Sequence, residues 1–207
     1  LLTSSVRHVR THQDATSDWW GLKTTFLQQL GKGTLNYGAE LGNLHRTEYY
    51  QDNVLTTTDI KNTESRSAGF VSFSYPFGKV SLKLGTRYEY ADFGYYENGQ
   101  KSNVKSQTYH DWLPNVSVAF PWDKTQLTFS YSRKIRRPAF YELSDYSAYS
   151  APFLYNRGNP LVVPQLTDEW NALATYGPLS AAVTYSHFHK AIHDDYGLSA
   201  TDPNVIE

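Results

Sequence analysis

The sequence predicts an all-β, antiparallel chain of transmembrane β-barrel type, with about eight strands. Three observations lead there. Apolar and polar residues alternate with period two through most of the chain, the pattern of a strand with two unlike faces. Short and long connections follow one another strictly: short turns fall near positions 32, 77, 122 and 178, long loops near 47, 94 and 138. Outer-membrane barrels are built that way, with brief periplasmic turns on one rim and longer loops outside. Aromatic residues make up 15%, with 17 Tyr and 5 Trp, and such rings belong at membrane interfaces as well as in cores.

The remaining composition excludes more than it selects. Net charge is −1, from 19 basic and 20 acidic residues, which leaves no electrostatic case for a nucleic-acid partner. With no cysteine there are neither disulfides nor thiolate metal sites. No run approaches the roughly 20 apolar residues of a membrane-crossing helix, but a barrel hides its apolar face in alternate positions. The chain lacks Met, starts at Leu1 and shows no charged-then-apolar leader, so it reads as a mature piece or an excised fragment.

Taken in order, residues 1–9 read as the tail of a strand and 10–18 as a polar loop. A first strand follows from Trp20, Leu22, Phe26 and Leu30, which share one parity although Gln28 interrupts it. Gly31-Lys32-Gly33 turns the chain, because glycine reaches the positive φ of a tight hairpin. Leu35, Tyr37, Ala39 and Leu41 form the return strand, and 47–62 reads as a loop without pattern. A second hairpin sets Gly69, Val71, Phe73 and Tyr75 before a turn at Pro76-Phe77-Gly78. Beyond it, Val80, Leu82, Leu84, Thr86, Tyr88 and Tyr90 oppose Ser81, Lys83, Gly85, Arg87 and Glu89, the clearest alternation in the chain. A sandwich would bury the first set; a barrel would turn it to lipid and leave Lys83, Arg87 and Glu89 in a wet lumen.

After a polar loop at 94–107, a third hairpin pairs Val116, Val118 and Phe120 with Leu127, Phe129 and Tyr131 across Pro121-Trp122-Asp123-Lys124. Arg133, Lys134, Arg136, Arg137 and Pro138 end that strand, since proline cannot donate to a ladder. A Tyr-rich loop then runs to Gly158-Asn159-Pro160 and Pro164. The fourth hairpin spans 167–176, turns at Gly177-Pro178-Leu179 and returns through Ala181, Val183 and Tyr185.

These residues carry a resemblance. Tyr131-Ser132-Arg133 with Arg137-Pro138, then Gly158-Asn159-Pro160-Leu161 and Pro164, resembles a signature of the barrel of TonB-dependent outer-membrane receptors. Gly85-Thr86-Arg87-Tyr88-Glu89 resembles that family's "GLRYE" strand, and Leu113-Pro114-Asn115-Val116-Ser117 its "FPSLS" strand. This sequence departs from the pattern at Gln165, where Glu is usual, at Leu161, one place early, and at Ser144-Asp145, where Asn-Pro is usual. The resemblance implies a fragment of a barrel of about 22 strands, filled in the whole receptor by a plug domain that lies outside this chain. It further implies bacterial outer-membrane localisation, outer-membrane lipid and the TonB complex as partners, and uptake of a scarce ligand: a ferric siderophore, corrinoid, glycan or peptide. Two rivals remain at this stage, a complete eight-stranded barrel acting as adhesin or pore and a soluble carbohydrate-binding sandwich.

Candidate site residues fall in three groups. Arg133, Arg136 and Arg137 suit an anionic ligand, because guanidinium forks match carboxylate and phosphate, or else they pair with loop acids. Tyr146, Tyr149 and Tyr155, with Arg157, can cover an apolar ligand or pack on one another. His187, His189, His193 and Asp195 share a parity and are of metal-ligand type, yet that parity continues the lipid side of the strand, so no metal is assigned. No Gly-x-Ser-x-Gly elbow, phosphate-binding Gly loop or His-Glu-x-x-His helix appears, and neither enzymatic activity nor a cofactor is expected.

Overall fold

The computed structural model describes residues 8–53, 57–151, 153–198 and 206. Its strands are β1 (Thr11–Leu30), β2 (Gly33–Asp52), β3 (Thr58–Phe77), β4 (Val80–Glu97), β5 (Gln100–Lys101), β6 (Gln107–Trp122) and β7 (Thr125–Arg136). One helical turn, α1 (Phe140–Leu143), and the small hairpin β8 (Ser147–Ala151) and β9 (Leu154–Arg157) interrupt the series before β10 (Gln165–Tyr176) and β11 (Leu179–His189). The long strands form one antiparallel sheet in the order β1-β2-β3-β4-β6-β7-β10-β11, with β5 added to the end of β4. Among the described residues the only other sheet is β8–β9, so there is no second layer to make a sandwich.

Register follows the alternation. Val116 lies opposite Tyr131, Val118 opposite Phe129 and Phe120 opposite Leu127, the pairing that the third hairpin predicts. The four short turns each carry a residue in the left-handed region: Gly31, Gly78, Asp123 and Gly177. A two-residue turn needs such a φ to match the twist of its strands. One face of the sheet collects Leu84, Val116, Tyr131, Trp170 and Tyr185 in a single cross-strand row. The opposite face collects Lys83, Ser117, Ser130 and Asn171.

The expected loops at 10–18, 47–62 and 94–107 need correction. Those residues are largely strand: β1 starts at Thr11, the connection between β2 and β3 lies within 53–57, and β4 runs on to Glu97 and returns through β5. The reason is length. A tilted strand crosses the hydrocarbon in about 9 to 11 residues, whereas β1 to β3 have 20 each. Beyond the membrane neither face has to be apolar, so the sequence alternation stops while the ladder continues. On β6 the outward Trp112 and Trp122 mark both limits, and their spacing of about ten residues suits an apolar band of ~25 Å at the usual tilt.

The core sits on the inner face of the upper half. Ile60, Phe93, Tyr95 and Leu143 are buried together, with Tyr109, Phe140, Tyr146 and Val162 packed around them. Three of the four buried residues come from β3 and β4 and the fourth from α1, so the chain between β7 and β10 folds inward onto the wall.

Candidate inner-wall pocket

The loop that covers the wall is held at its base by a chain of charges. Lys23 Nζ reaches Glu40 at 2.6 Å, Glu40 also receives Arg87 Nη2 at 2.5 Å, and Arg87 Nε donates to Glu89 at 2.6 Å. Glu89 then receives Arg137 Nη2 at 2.5 Å. These side chains come from β1, β2, β4 and the residue that follows β7. The motif Gly85 to Glu89 and the pair Arg137-Pro138, some fifty positions apart in the sequence, therefore meet in space. Tyr88 points to the other face, where its ring lies 4.9 Å from that of Trp112. Gly85 is required here, because a Cβ would stand 2.8 Å from both Asn115 and Ser72. Pro114 lies opposite Thr86 on the neighbouring strand.

The far end of the loop closes on α1. Gly158 N donates to Ser144 O at 2.9 Å and Asn159 N to Glu142 O at 2.7 Å, which satisfies carbonyls at the end of the helical turn. A Cβ on Gly158 would lie 2.8 Å from the Glu142 carbonyl group. Asn159 Oδ1 accepts from Leu161 N at 2.9 Å, and the Pro160 carbonyl accepts from Gln107 on β6 at 3.2 Å. Pro160 and Pro164 are both buried. The Gly-Asn-Pro motif is thus a clasp from loop to wall.

Between base and clasp, Tyr146 stacks on Tyr50 with ring centres 4.4 Å apart and donates to the buried Glu48 at 2.5 Å. Gln13 and Arg46 also reach Glu48, at 2.6 and 3.3 Å. Burial pushes the Tyr146 phenol up, and the hydrogen bond to Glu48 adds to the rise. Asp145 answers the other way: burial raises its carboxyl, but Lys105 at 2.6 Å and Arg157 at 2.6 Å outweigh that and hold it below the ordinary range. Lys105 is lowered by burial but raised further by Asp145 and Glu97, so its ammonium is held above the usual lysine value.

Under this roof lies a cavity of about 410 Å³. The wall contributes Trp19, Glu64, Arg66, Phe93 and Tyr109, and the loop contributes Arg137, Phe140 and Leu143. Arg137 Nη2 is taken by Glu89, while Nε, 3.8 Å from Glu64, and Nη1 have no hydrogen-bond partner. A half-engaged guanidinium whose free nitrogens are buried at the side of a ring-lined cleft is an acceptor-seeking group. Arg66 is exposed on the same inner face.

The sequence-predicted residues sort as follows. Of the anionic-ligand set, Arg137 lines the cavity, Arg136 pairs with Glu142 at 2.5 Å, and Arg133 lies on the apolar face, paired with Asp168. Tyr146 is occupied with Tyr50 and Glu48, Tyr149 and Tyr155 meet edge to face at 5.7 Å, and Arg157 holds Asp145. His189 binds Asp168, His187 rests on His189, and His193 and Asp195 lie beyond β11, bonded to their own neighbours. Among the described residues no group of three or more His, Asp or Glu is placed to hold a metal. Sequence reasoning missed Trp19, Glu64, Arg66, Phe93 and Tyr109. Glu64 and Arg66 continue the parity of Ala68 and Phe70 backwards, a signal that the sequence does contain.

A model of the outer membrane protein beta-barrel family matches residues 2–206. Among solved structures, the chain is similar to the ferric yersiniabactin uptake receptor FyuA from Yersinia pestis: 12% identity, TM-score 0.56, covering 87% of this chain and 29% of that one. It is also similar to the copper transporter OprC, at 14% identity and TM-score 0.61, covering 85% and 31%. A third likeness is to the ferric-catecholate import receptor Fiu from K12 E. coli, at 11% identity and TM-score 0.57, covering 86% and 32%. The chain spans about three tenths of the length of these proteins, and at such identities the likeness is one of fold. No curated protein matches the sequence.

Proposed function

Because the chain belongs to the outer membrane protein beta-barrel family, and so lies in the bacterial outer membrane, we propose that it is one wall of a TonB-dependent uptake receptor. On this reading the plug, the segment that engages TonB and the remaining strands belong to the parent protein. The sheet order supports it, since β1 and β11 are not paired with each other. A closed eight-stranded barrel would join them. In hydrocarbon each open edge would leave backbone groups unsatisfied at several kcal/mol apiece, so both edges call for further strands.

The observation that carries the reading is the inner-wall cavity beneath residues 138–164, with the spare donors of Arg137 among Trp19, Phe93, Tyr109 and Phe140. Flat rings cover an apolar body, and Arg137 and Arg66 meet an acidic group. Glu64 in the same cavity favours a ligand that also offers hydroxyl or ammonium donors. A small amphipathic chelator or its metal complex combines these features. The activity is capture and transport, not catalysis.

The test is uptake by cells that carry the full-length receptor, with ferric siderophores of several chelator classes as probes. Arg66→Gln with Trp19→Ala should raise the half-saturating concentration at least about tenfold, a change of ~1.4 kcal/mol, at equal surface expression. Loss of TonB should abolish uptake without loss of binding. Uptake that survives TonB deletion would overturn the assignment, and unchanged affinity in the double variant would remove the cavity from the path.

A further inference from the structure

The apolar face carries a feature that uptake leaves unused. Rows of residues cross β6, β7, β10 and β11 on that side: Phe120, Leu127, Ala174 and Ala181, then Val118, Phe129, Ala172 and Val183, then Val116, Tyr131, Trp170 and Tyr185. The three alanines sit beside large neighbours and leave a trough. A hollow of about 360 Å³ lies here, lined by Val116, Val118, Phe129, Ala172, Val183 and the three rings of the upper row. Those rings form a ladder, Tyr131 to Trp170 at 5.3 Å and Trp170 to Tyr185 at 5.5 Å, of the kind that marks the membrane–water boundary.

One row higher in the same column stand Arg133, Asp168 and His187. Asp168 accepts from Arg133 Nε and Nη2, each at 2.8 Å, and from Tyr131 Oη at 2.6 Å, and His189 Nε2 lies 2.9 Å away. Its side chain is only 8% exposed, against 34% for Arg133 and 44% for His189. The carboxylate is covered and the donors face outward. The bidentate grip of Asp168 fixes the direction of the Arg133 guanidinium, whose side chain remains 34% exposed.

We propose that this column binds a phosphate-bearing lipid of the outer leaflet, with one acyl chain in the trough and the phosphate on Arg133 and His187. Hydrogen-bond complementarity selects the occupant: the groups on view, Arg133 and His187, offer donors while the Asp168 carboxylate is covered, and they stand directly above the aromatic ladder where headgroups lie, over a trough lined by apolar side chains. Asp168 is a positioning residue that aims Arg133 and His189 without touching the lipid. An arginine serving solubility alone would need neither the four-fold capture of a carboxylate nor an alanine-floored trough in the same column.

The test uses the full-length receptor in mild detergent, exchanged with an acylated bisphosphorylated glucosamine disaccharide or its dephosphorylated form and examined by native mass spectrometry. The phosphorylated lipid should be retained about tenfold better. Ala172→Phe, which fills the trough, His187→Gln, and the charge-neutral pair Arg133→Gln with Asp168→Asn should each reduce retention, with heat-modifiable migration reporting the fold. The first two variants keep the test valid where the third fails to fold. Equal retention of both lipids, unchanged retention in folded variants, or pairing of two receptor copies through this face without lipid would each overturn the proposal.

Discussion

The lower and upper halves of this wall use the same strands to opposite ends. Near the short turns, Lys83, Asn115, Ser117, Ser130 and Ser132 form a small, polar inner face, while Leu84, Val116, Val118 and Phe129 face outward. Near the long loops, the inner parity of β3 and β4 changes to Ile60, Phe93 and Tyr95, which are buried under α1. In the lower half the two faces meet different solvents, and alternation is the whole design. In the upper half the inner face meets protein, and a core replaces the lumen. A barrel wall can therefore hold a small core of its own under one folded-in loop.

The largest expected effect lies at the seam between the halves. Arg137→Ala leaves Glu89, whose side chain is 7% exposed, without its second cation, and should destabilise the loop base by about 3–5 kcal/mol, the usual result of breaking a buried pair. Urea unfolding of the refolded protein, followed at the loop and at the barrel strands, would separate the two. Loss of barrel stability at unchanged loop stability would break the comparison.

In the lower half, Leu84→Arg should cost about 2–4 kcal/mol, because the residue lies on the lipid face near mid-depth, whereas Lys83→Gln should be nearly neutral. Equal effects at 83 and 84 would deny the two faces their different solvents. In the upper half, Tyr146→Phe removes a hydrogen bond to the buried Glu48 and should loosen the loop by about 1.5–3 kcal/mol. Faster hydrogen exchange confined to residues 138–164, with the lower strands untouched, is the expected signature.

Acid should act on the same half. The folded Asp145 carboxyl lies below its unfolded value, so its contribution is present above the ordinary aspartate pKa of about 3.9 and is lost as pH falls through the folded value. Pepsin should cut the loop progressively faster below pH ~4, and Asp145→Asn should remove most of that dependence. Smallest is Asn62→Leu: the side chain is fully buried with both amide atoms unpaired, and an apolar replacement should be neutral or stabilise by about 1 kcal/mol.

The lower half is legible in the sequence for a physical reason. Where lipid and water lie on opposite sides, every second residue is constrained, and the alternation alone pairs Val116, Val118 and Phe120 with Tyr131, Phe129 and Leu127. Above the membrane that constraint lifts. Glu48, Tyr50, Ile60 and Asn62 then read as a patternless loop although they are ladder residues with buried side chains. The site is half legible. The arginines and tyrosines of residues 133–157 read equally as ligand contacts or as groups that pair with loop acids and pack on one another, and most hold the loop to the wall, as Tyr146 does with Glu48 and Arg136 with Glu142. Arg66 continues the parity of Ala68 and Phe70, but that inward parity points to a pocket only once the loop is known to fold over it, and Trp19 lies in a stretch that reads as loop edge. The motif residues Arg87, Glu89, Arg137 and Gly158 are recognisable in order, while their convergence on one seam depends on pairing across some fifty positions.

The most direct test of the two-halves account is quencher access to nitroxide labels placed one at a time at positions 82, 83, 93 and 110 of the intact protein in bilayers. A lipid-soluble quencher should reach 82 and not 83, a water-soluble one should reach 83 and 110, and position 93, beneath α1, should be shielded from both. Equal access of the lipid-soluble quencher to 82 and 83, or free access of the water-soluble one to 93, would contradict the account.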